Sequence, residues 1–306
     1  MAVQSQFAPI DYKEGLRLGQ TRMVTESVRE VAVQKERMRT LIVPREHGAW
    51  GLLFVPLFTG IVAGLAAPER VWTMLLFTAA ALFLFWLRTP VESLLGTGVI
   101  VAHTAGERRT ALLASCVLAA ASAGCLAGLL WRGQNAQLVG IGLIAALALG
   151  LQAALRRLGR HTRMASQLVG AFALTATAPA AYYLGSGHFG RSALALWIAN
   201  WCFACDQIHF VQLRIHAGRA SGVAEKFGRG KFFFAGQLAL LAALIFAEFV
   251  QLVPALVFVA FIPALVRGTR WFFQKPEPIN VKKLGWAELR QGIIFGILLA
   301  LAFRLG

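Results

Sequence analysis

Acidic residues are scarce in this chain of 306 residues, which has 14 Asp and Glu against 30 Lys and Arg. Charged residues make up only 14% of the sequence, whereas soluble globular domains are about a quarter charged. Together with a hydrophobic fraction of 58% and a mean hydropathy of +0.64, this shortage excludes an ordinary soluble domain. The composition indicates a protein whose body lies in lipid.

Cysteine is also rare, and a leader sequence is not evident. All four cysteines lie within apolar runs rather than in loops, so no disulfide framework is expected. The first apolar run begins only after about 40 polar residues, so we expect no cleavable signal peptide. We expect residues 1–40 to form a polar cytoplasmic amino-terminal extension that could dock a protein partner, and residues 41–306 to form the membrane domain.

Nine apolar stretches occupy the rest of the chain, and most approach the roughly 20 residues that cross a bilayer. They lie at 48–67, 71–87, 111–131, 136–155, 166–185, 192–213, 232–250, 252–267 and 287–304. The fold class that they predict is all-α, a polytopic membrane helical bundle with nine transmembrane helices. Around Val253-Pro254 we expect a turn between two spans rather than one long helix.

The basic residues alternate in their placement along this map. Only Arg70, Arg132, Arg191 and Arg304 fall on the side opposite to all the other Lys and Arg residues. Short cytoplasmic segments retain Lys and Arg, so we expect a cell-membrane protein with a cytoplasmic amino terminus and an outside carboxyl terminus. The net charge of +16 suits membrane lipids, because the bases lie near span ends, and no nucleic acid partner is expected.

The predicted cytoplasmic connections are long, at 88–110, 156–165, 214–231 and 268–286. Function concentrates on elaborated loops, so any site should open toward the cytoplasm. Their bases form a rim that would suit phosphate or an anionic headgroup, although the retention of positive charge inside explains most of them.

Two groups of polar residues are candidates for a site. Arg45, Glu46 and His47 enter the first span together, where an interfacial anchor would need neither Glu46 nor His47. In the sixth span Asp206 is the one acidic residue that we place deep in the membrane. A carboxylate there needs a polar cavity or a partner such as His209 or an Arg.

Asp206 and His209 are the candidates for acid–base chemistry, and Arg214 and Arg88 would add positive charge at the polar end. The alternative is a polar contact between helices without chemistry. Cys202, Cys205 or Asp206, and His209 have metal-compatible spacing, but three ligands on one helix do not easily close a tetrahedral shell. We therefore expect no metal and no cofactor.

The run from Pro44 to Trp50, continuing to Leu57, resembles the opening signature of the YwiC-like family of bacterial membrane proteins. More distantly, the nine spans and the segments Ser166–Phe172 and Trp197–His209 resemble the UbiA superfamily of intramembrane prenyltransferases. That superfamily holds Mg²⁺ and prenyl diphosphate with two Asp-rich motifs.

The first of those regions offers only Glu92 and Glu107 here, and Arg214 and His216 stand near the later acidic positions of the second. The resemblance therefore implies a UbiA-like cavity that binds an isoprenoid, quinone or lipid without ordinary Mg²⁺-dependent prenyl transfer. A divergent prenyl or lipid transferase, a small-solute transporter and a non-catalytic subunit of a membrane complex are the alternatives, so the sequence leaves open whether the protein is an enzyme.

Overall fold

The computed structural model describes residues 29, 33–43, 47–98, 100–131, 133, 136–218, 220, 222–275 and 280–305. Within these residues the chain is helical and contains no strand. The helices are α1 (33–42), α2 (His47–Gly64), α3 (Val71–Leu94), α4 (Ala105–Trp131), α5 (Ala136–Arg157), α6 (Arg163–Thr175), α7 (Thr177–Ser186), α8 (Arg191–Ala217), α9 (Val223–Phe249), α10 (Val257–Phe273) and α11 (Val281–Leu305).

Each predicted span coincides with a helix or, for 166–185, with the pair α6 and α7. Among the described residues, six helical segments are long and apolar enough to cross a membrane, namely Pro68–Leu94, Ala105–Trp131, Ala136–Arg157, Arg163–Ser186, Val223–Phe249 and Lys282–Leu305. They indicate a multi-pass membrane protein. Three helices fall outside this group. The segment Trp50–Gly64 of α2 and the 17-residue α10 are short, and α8 carries several polar residues. The nine-span arrangement therefore stays a prediction.

The long predicted loops are wrong, because the helices continue beyond the apolar stretches. Helices α3 and α4 take up all of 88–110 except 95–104, and α8 and α9 take up all of 214–231 except 218–222. Hydrophobicity ends where a helix would leave lipid, but backbone hydrogen bonding continues until a residue caps or breaks the helix. The predicted turn near Val253-Pro254 is confirmed, since α9 ends before it and α10 begins after it.

The fifth predicted span is divided at Ala176, which joins α6 to α7. Pro179 lies in the first turn of α7 and has no N–H to donate to the carbonyl of Thr175. In the first turn of a helix this missing donor breaks no hydrogen bond within the helix, so Pro179 is compatible with a helix that begins at Thr177.

The chain divides into two compact units. The first takes in the described parts of Met1–Arg45 together with Trp86–Ala119, and the second takes in those of Glu46–Phe85 together with Ala120–Gly306. Helices α3 and α4 each contribute residues to both units.

In the first unit, Glu107 and Thr104 begin α4 with reciprocal hydrogen bonds. The N–H of Glu107 donates to Thr104 Oγ1 at 3.1 Å, and the Glu107 carboxylate accepts from the N–H groups of Thr104 and the preceding residue. Arg37 of α1 forms an ion pair with Glu107 at 2.5 Å. The indole N–H of Trp86 donates to the carbonyl of Ile42 at 2.8 Å. These contacts hold α1 against α3 and α4 within this unit.

In the second unit, α2 and α7 approach each other through small residues. A Cβ added at Gly60 would lie 2.3 Å from the carbonyl oxygen of Ala178, and one at Gly64 would lie 2.6 Å from the Cα of Tyr182. Glycines four residues apart allow two membrane helices to pack backbone to backbone. Any larger residue at Gly60 or Gly64 would push the two helices apart.

Large apolar side chains point outward on several of the long helices. Val117, Leu147 and Phe246 are each about two-thirds exposed, on α4, α5 and α9. Contiguous apolar surface of this kind is costly in water and ordinary against lipid. The outer faces of these helices therefore fit a membrane environment.

Two apolar clusters fill the interior between α8, α9, α10 and α11. We call the first the Phe203 cluster; its buried members include Leu196, Phe203, Leu244, Phe261, Ala264, Phe295 and Leu299. We call the second the Phe233 cluster; its buried members are Phe210, Leu213, Ala217, Phe233, Trp271 and Phe272. The rings of Phe203 and Phe295 stack with centroids 3.8 Å apart.

Candidate functional site

Four helices of the second unit each place one polar side chain between the two apolar clusters. These are Asp206 between Phe203 and Phe210 on α8, Gln237 between Phe233 and Leu244 on α9, Arg267 between Ala264 and Trp271 on α10, and Glu288 between Leu284 and Phe295 on α11. We call these four side chains the polar layer. Polar groups inside a membrane bundle are costly and mark sites by default.

Arg267 joins the two carboxylates of the polar layer. Its Nη2 lies 2.7 Å from Asp206 Oδ2, and its Nη1 bonds the carboxylate of Glu288. Asp206 is buried, with 3% of its side chain exposed, and Arg267 and Glu288 are largely buried, with 12% of each side chain exposed. The face of the guanidinium lies over the ring of Phe210, at 4.2 Å from the ring centroid. Arg267 is therefore held by charge on its edge and by an aromatic ring on its face.

Two glutamine amides donate further hydrogen bonds to groups of this layer. Gln237 Nε2 donates to the carboxylate of Asp206, and Gln207 Nε2 donates to the backbone carbonyl of Glu288 at 2.8 Å. The opposite orientation of the Gln237 amide would bring its oxygen against the carboxylate, which repels it. The orientation that donates to Asp206 is therefore the stable one.

Several buried polar atoms in or beside the layer have no hydrogen-bond partner among the described residues. They are three oxygens, Gln237 Oε1, Glu288 Oε1 and Gln291 Oε1, and one nitrogen, Arg267 Nε. We call the oxygens the open acceptors and the nitrogen the open donor. A buried polar group without a partner costs about 1–3 kcal/mol. Because four such atoms fall on neighbouring turns of three helices, the layer is suited to bind a polar group.

The charges of the polar layer do not balance. One guanidinium faces two carboxylates, which leaves one negative charge in excess when all three groups are ionised. Low dielectric surroundings make an uncompensated charge expensive. A proton on one carboxyl group, or hydrogen-bond donors from a ligand, would reduce that cost.

The residues predicted from sequence lie in several places. Asp206 pairs with Arg267, one of the two kinds of partner that we expected. His209 packs its ring edge-on against Phe233, with centroids 5.3 Å apart. Arg214 lies about 12 Å further along α8, and its Nε is buried without a partner in the described part of the chain.

The remaining predicted site residues lie elsewhere in the chain. Arg88 lies in the first unit, where its Nε donates to the carboxylate of Glu92 at 2.8 Å. Arg45 and Glu46 lie outside the described residues, and so does the side chain of His47. Their part in a site stays a prediction.

Sequence reasoning missed most of the polar layer. We assigned Arg267 to a predicted span end and Glu288 to the edge of the last span, yet both are buried within helices. Asp206 is thus not the one deep acidic residue, because α11 begins at Val281 and carries Glu288 more than a turn inside. The usable signal was the unpaired charge of Asp206, which required a cation on a neighbouring helix.

Lys226 corrects a second expectation about the basic rim. It is only 3% exposed, and its Nζ donates to the carbonyl of Trp271 at 3.2 Å and to that of Gln274. Its ammonium also lies 5.0 Å from the centre of the Trp271 ring. Lys226 therefore satisfies the last carbonyls of α10 instead of facing an anionic headgroup.

Metal binding is not indicated by the side chains that the structure describes. Among them, no group of three or more His, Cys, Asp or Glu could hold a metal ion. Arg267 bridges Asp206 and Glu288, so each of these two carboxylates already pairs with the same guanidinium.

Residues 43–182 match the family of YwiC-like proteins. No curated protein and no solved structure matches the chain at a significant level. The matched segment begins just before α2 and ends within α7, so the polar layer lies beyond it.

Proposed function

We propose that this cell-membrane protein binds a lipid-soluble ligand, an isoprenoid, a quinone or another lipid, with the polar head of the ligand at the polar layer. The observation that carries the proposal is the set of open acceptors and the open donor inside an apolar bundle. A merely structural contact between helices would be expected to satisfy its own polar atoms, because each unsatisfied one lowers the stability of the fold.

The surroundings of the polar layer suit a ligand with an apolar tail. The Phe203 cluster lies on one side of the layer and the aromatic Phe233 cluster on the other. Ligand sites are typically apolar with a few polar groups that fix the orientation of the ligand. Arg214 and His209, which lie on α8 of the same unit, remain candidates for further contacts with it.

The proposal includes nine spans, a UbiA-like arrangement and a cytoplasmic amino terminus. Helices at all nine predicted positions and the alternation of the basic residues support it. Ordinary Mg²⁺-dependent prenyl transfer is not part of the proposal, because Arg267 stands between the two buried carboxylates.

A thermal-shift series on the purified protein tests ligand binding. Decylubiquinone and geranylgeraniol should each raise the unfolding temperature of the wild type in detergent. Gln237→Leu keeps the side-chain volume, removes the amide from the polar layer and should abolish the shift. Gln212→Leu is the matched control, since Gln212 also donates from α8 to another side chain, Gln167 at 3.1 Å, outside the polar layer.

Two other results would replace the proposal. Turnover of labelled geranylgeranyl diphosphate that disappears in Asp206→Asn would establish a divergent transferase. A partner protein that co-purifies with the full chain but not with a chain lacking residues 1–40, together with no shift by any lipid, would establish a subunit role.

A further inference from the structure

We infer that the bound head is uncharged and carries a hydroxyl group, as in an isoprenoid alcohol or a quinol, and that a diphosphate is excluded from the polar layer. This inference rests on the proposed function and names the chemical class of its ligand. It follows from the charge of the layer and from the balance of its open donor and open acceptors.

The first step is the charge of the layer. Asp206 and Glu288 contribute two carboxylates, and Arg267 is the one cation in the described part of the chain that pairs with both. With both acids ionised the layer is negative, and with one of them protonated it is neutral. In neither state does it offer positive charge to an anion. A diphosphate carries several negative charges, so it would have to enter against repulsion in a low dielectric.

The second step is the inventory of hydrogen bonds. The three open acceptors outnumber the one open donor. Each amino group of Arg267 already donates one hydrogen bond to a carboxylate, and the Gln237 amide nitrogen donates one to Asp206. A ligand that only accepts hydrogen bonds could therefore satisfy Arg267 Nε but none of the oxygens. A hydroxyl group donates one hydrogen bond and accepts others, so it can serve both kinds of atom.

The third step is the position of one open acceptor. A Cβ added at Gly268 would lie 3.0 Å from Gln237 Oε1 and 3.0 Å from Phe233 Cζ. The Gln237 oxygen therefore lies against α10 at the residue that follows Arg267, with the Phe233 ring beside it. Glycine at 268 therefore keeps a side chain of α10 away from this open acceptor and from the Phe233 ring.

Pairs of ligands that differ in the head alone test the inference. Geranylgeraniol should bind wild-type protein in phosphatidylcholine nanodiscs at least about 10-fold more tightly than geranylgeranyl diphosphate, a difference of about 1.4 kcal/mol. Decylubiquinol should likewise bind more tightly than decylubiquinone, because the quinone ring carries acceptors and no donor.

A charge variant adds an independent measurement. Glu288→Gln removes one negative charge and keeps the shape of the side chain, so the preference for the alcohol over the diphosphate should fall several-fold. Glu225→Gln is the control, because Glu225 forms a solvent-exposed ion pair with Arg229 at 2.6 Å, outside the polar layer. Glu225→Gln should prefer the alcohol over the diphosphate as strongly as the wild type does.

The outcomes separate the inference from the proposed function. Diphosphate binding as tight as alcohol binding, or quinone binding as tight as quinol binding, overturns the inference while lipid binding stands. An unchanged preference in Glu288→Gln also overturns it. If none of the four compounds binds, the proposed function itself is wrong.

Discussion

Replacing Arg267 by Met should strongly destabilise the protein, because it leaves two buried carboxylates without their shared cation. Removal of one partner from a buried ion pair costs about 3–5 kcal/mol. The side chains of Asp206 and Glu288 are 3% and 12% exposed, so water can screen neither of them well. We expect the loss in the free energy of unfolding to fall in that range at neutral pH.

The assay is equilibrium unfolding in mixed micelles, followed by tryptophan fluorescence. Arg229→Met is the matched control, because Arg229 also pairs with a carboxylate, that of Glu225, but on a half-exposed surface. Exposed pairs contribute about 0.2–1 kcal/mol, so the control should unfold almost like the wild type. A loss below about 1 kcal/mol in Arg267→Met would contradict a buried guanidinium shared by two carboxylates.

A quadruple variant separates stability from binding. Apolar replacement of the whole polar layer, with Asp206→Leu, Gln237→Leu, Arg267→Met and Glu288→Met, removes every charge at once. Replacement of buried ionic groups by well-packed apolar side chains is often neutral or stabilising by about 1–4 kcal/mol. The quadruple variant should therefore recover most of the stability lost in Arg267→Met, and it should bind no ligand.

Three further predictions concern other parts of the chain. Gly64→Val should destabilise the fold by about 1–3 kcal/mol, the cost of overpacking, since the backbone of Tyr182 lies against Gly64. Gly140→Val, with open space around it, should unfold like the wild type in the same assay. Glu107→Gln should weaken the start of α4 by about 1 kcal/mol, which faster amide hydrogen exchange there would report. Arg214→Ala should remove the thermal shift caused by geranylgeraniol, and an unchanged shift would take Arg214 out of the site.

The sequence predicted the helices well because hydrophobicity determines where a chain can cross lipid. Helices lie at all nine predicted positions, and the turn at Val253-Pro254 separates two of them. Helix ends were harder to predict. Capping by Thr104 and Glu107 and the missing N–H of Pro179 act locally, so hydropathy averaged over about 19 residues does not detect them.

The polar layer could be predicted only in part. Asp206 was visible because it interrupts an apolar stretch, and its need for a cation followed from the cost of a buried charge. The choice of Arg267 among many Arg residues depends on which helices are neighbours in space. Neither α10 nor α11 adjoins α8 in sequence. A single sequence does not show which helices pack together, so it cannot show that Arg267 and Glu288 meet Asp206.

Native mass spectrometry of the protein as purified from its membrane would test most directly whether the polar layer binds a neutral lipid. We predict that the wild type retains a small apolar molecule with a hydroxyl-bearing head, and that the quadruple apolar variant, with comparable stability, retains none. Two results would contradict the binding of an uncharged, hydroxyl-bearing head at the polar layer. One is the same molecule bound to both proteins, and the other is a diphosphate that is bound to the wild type and lost from the variant.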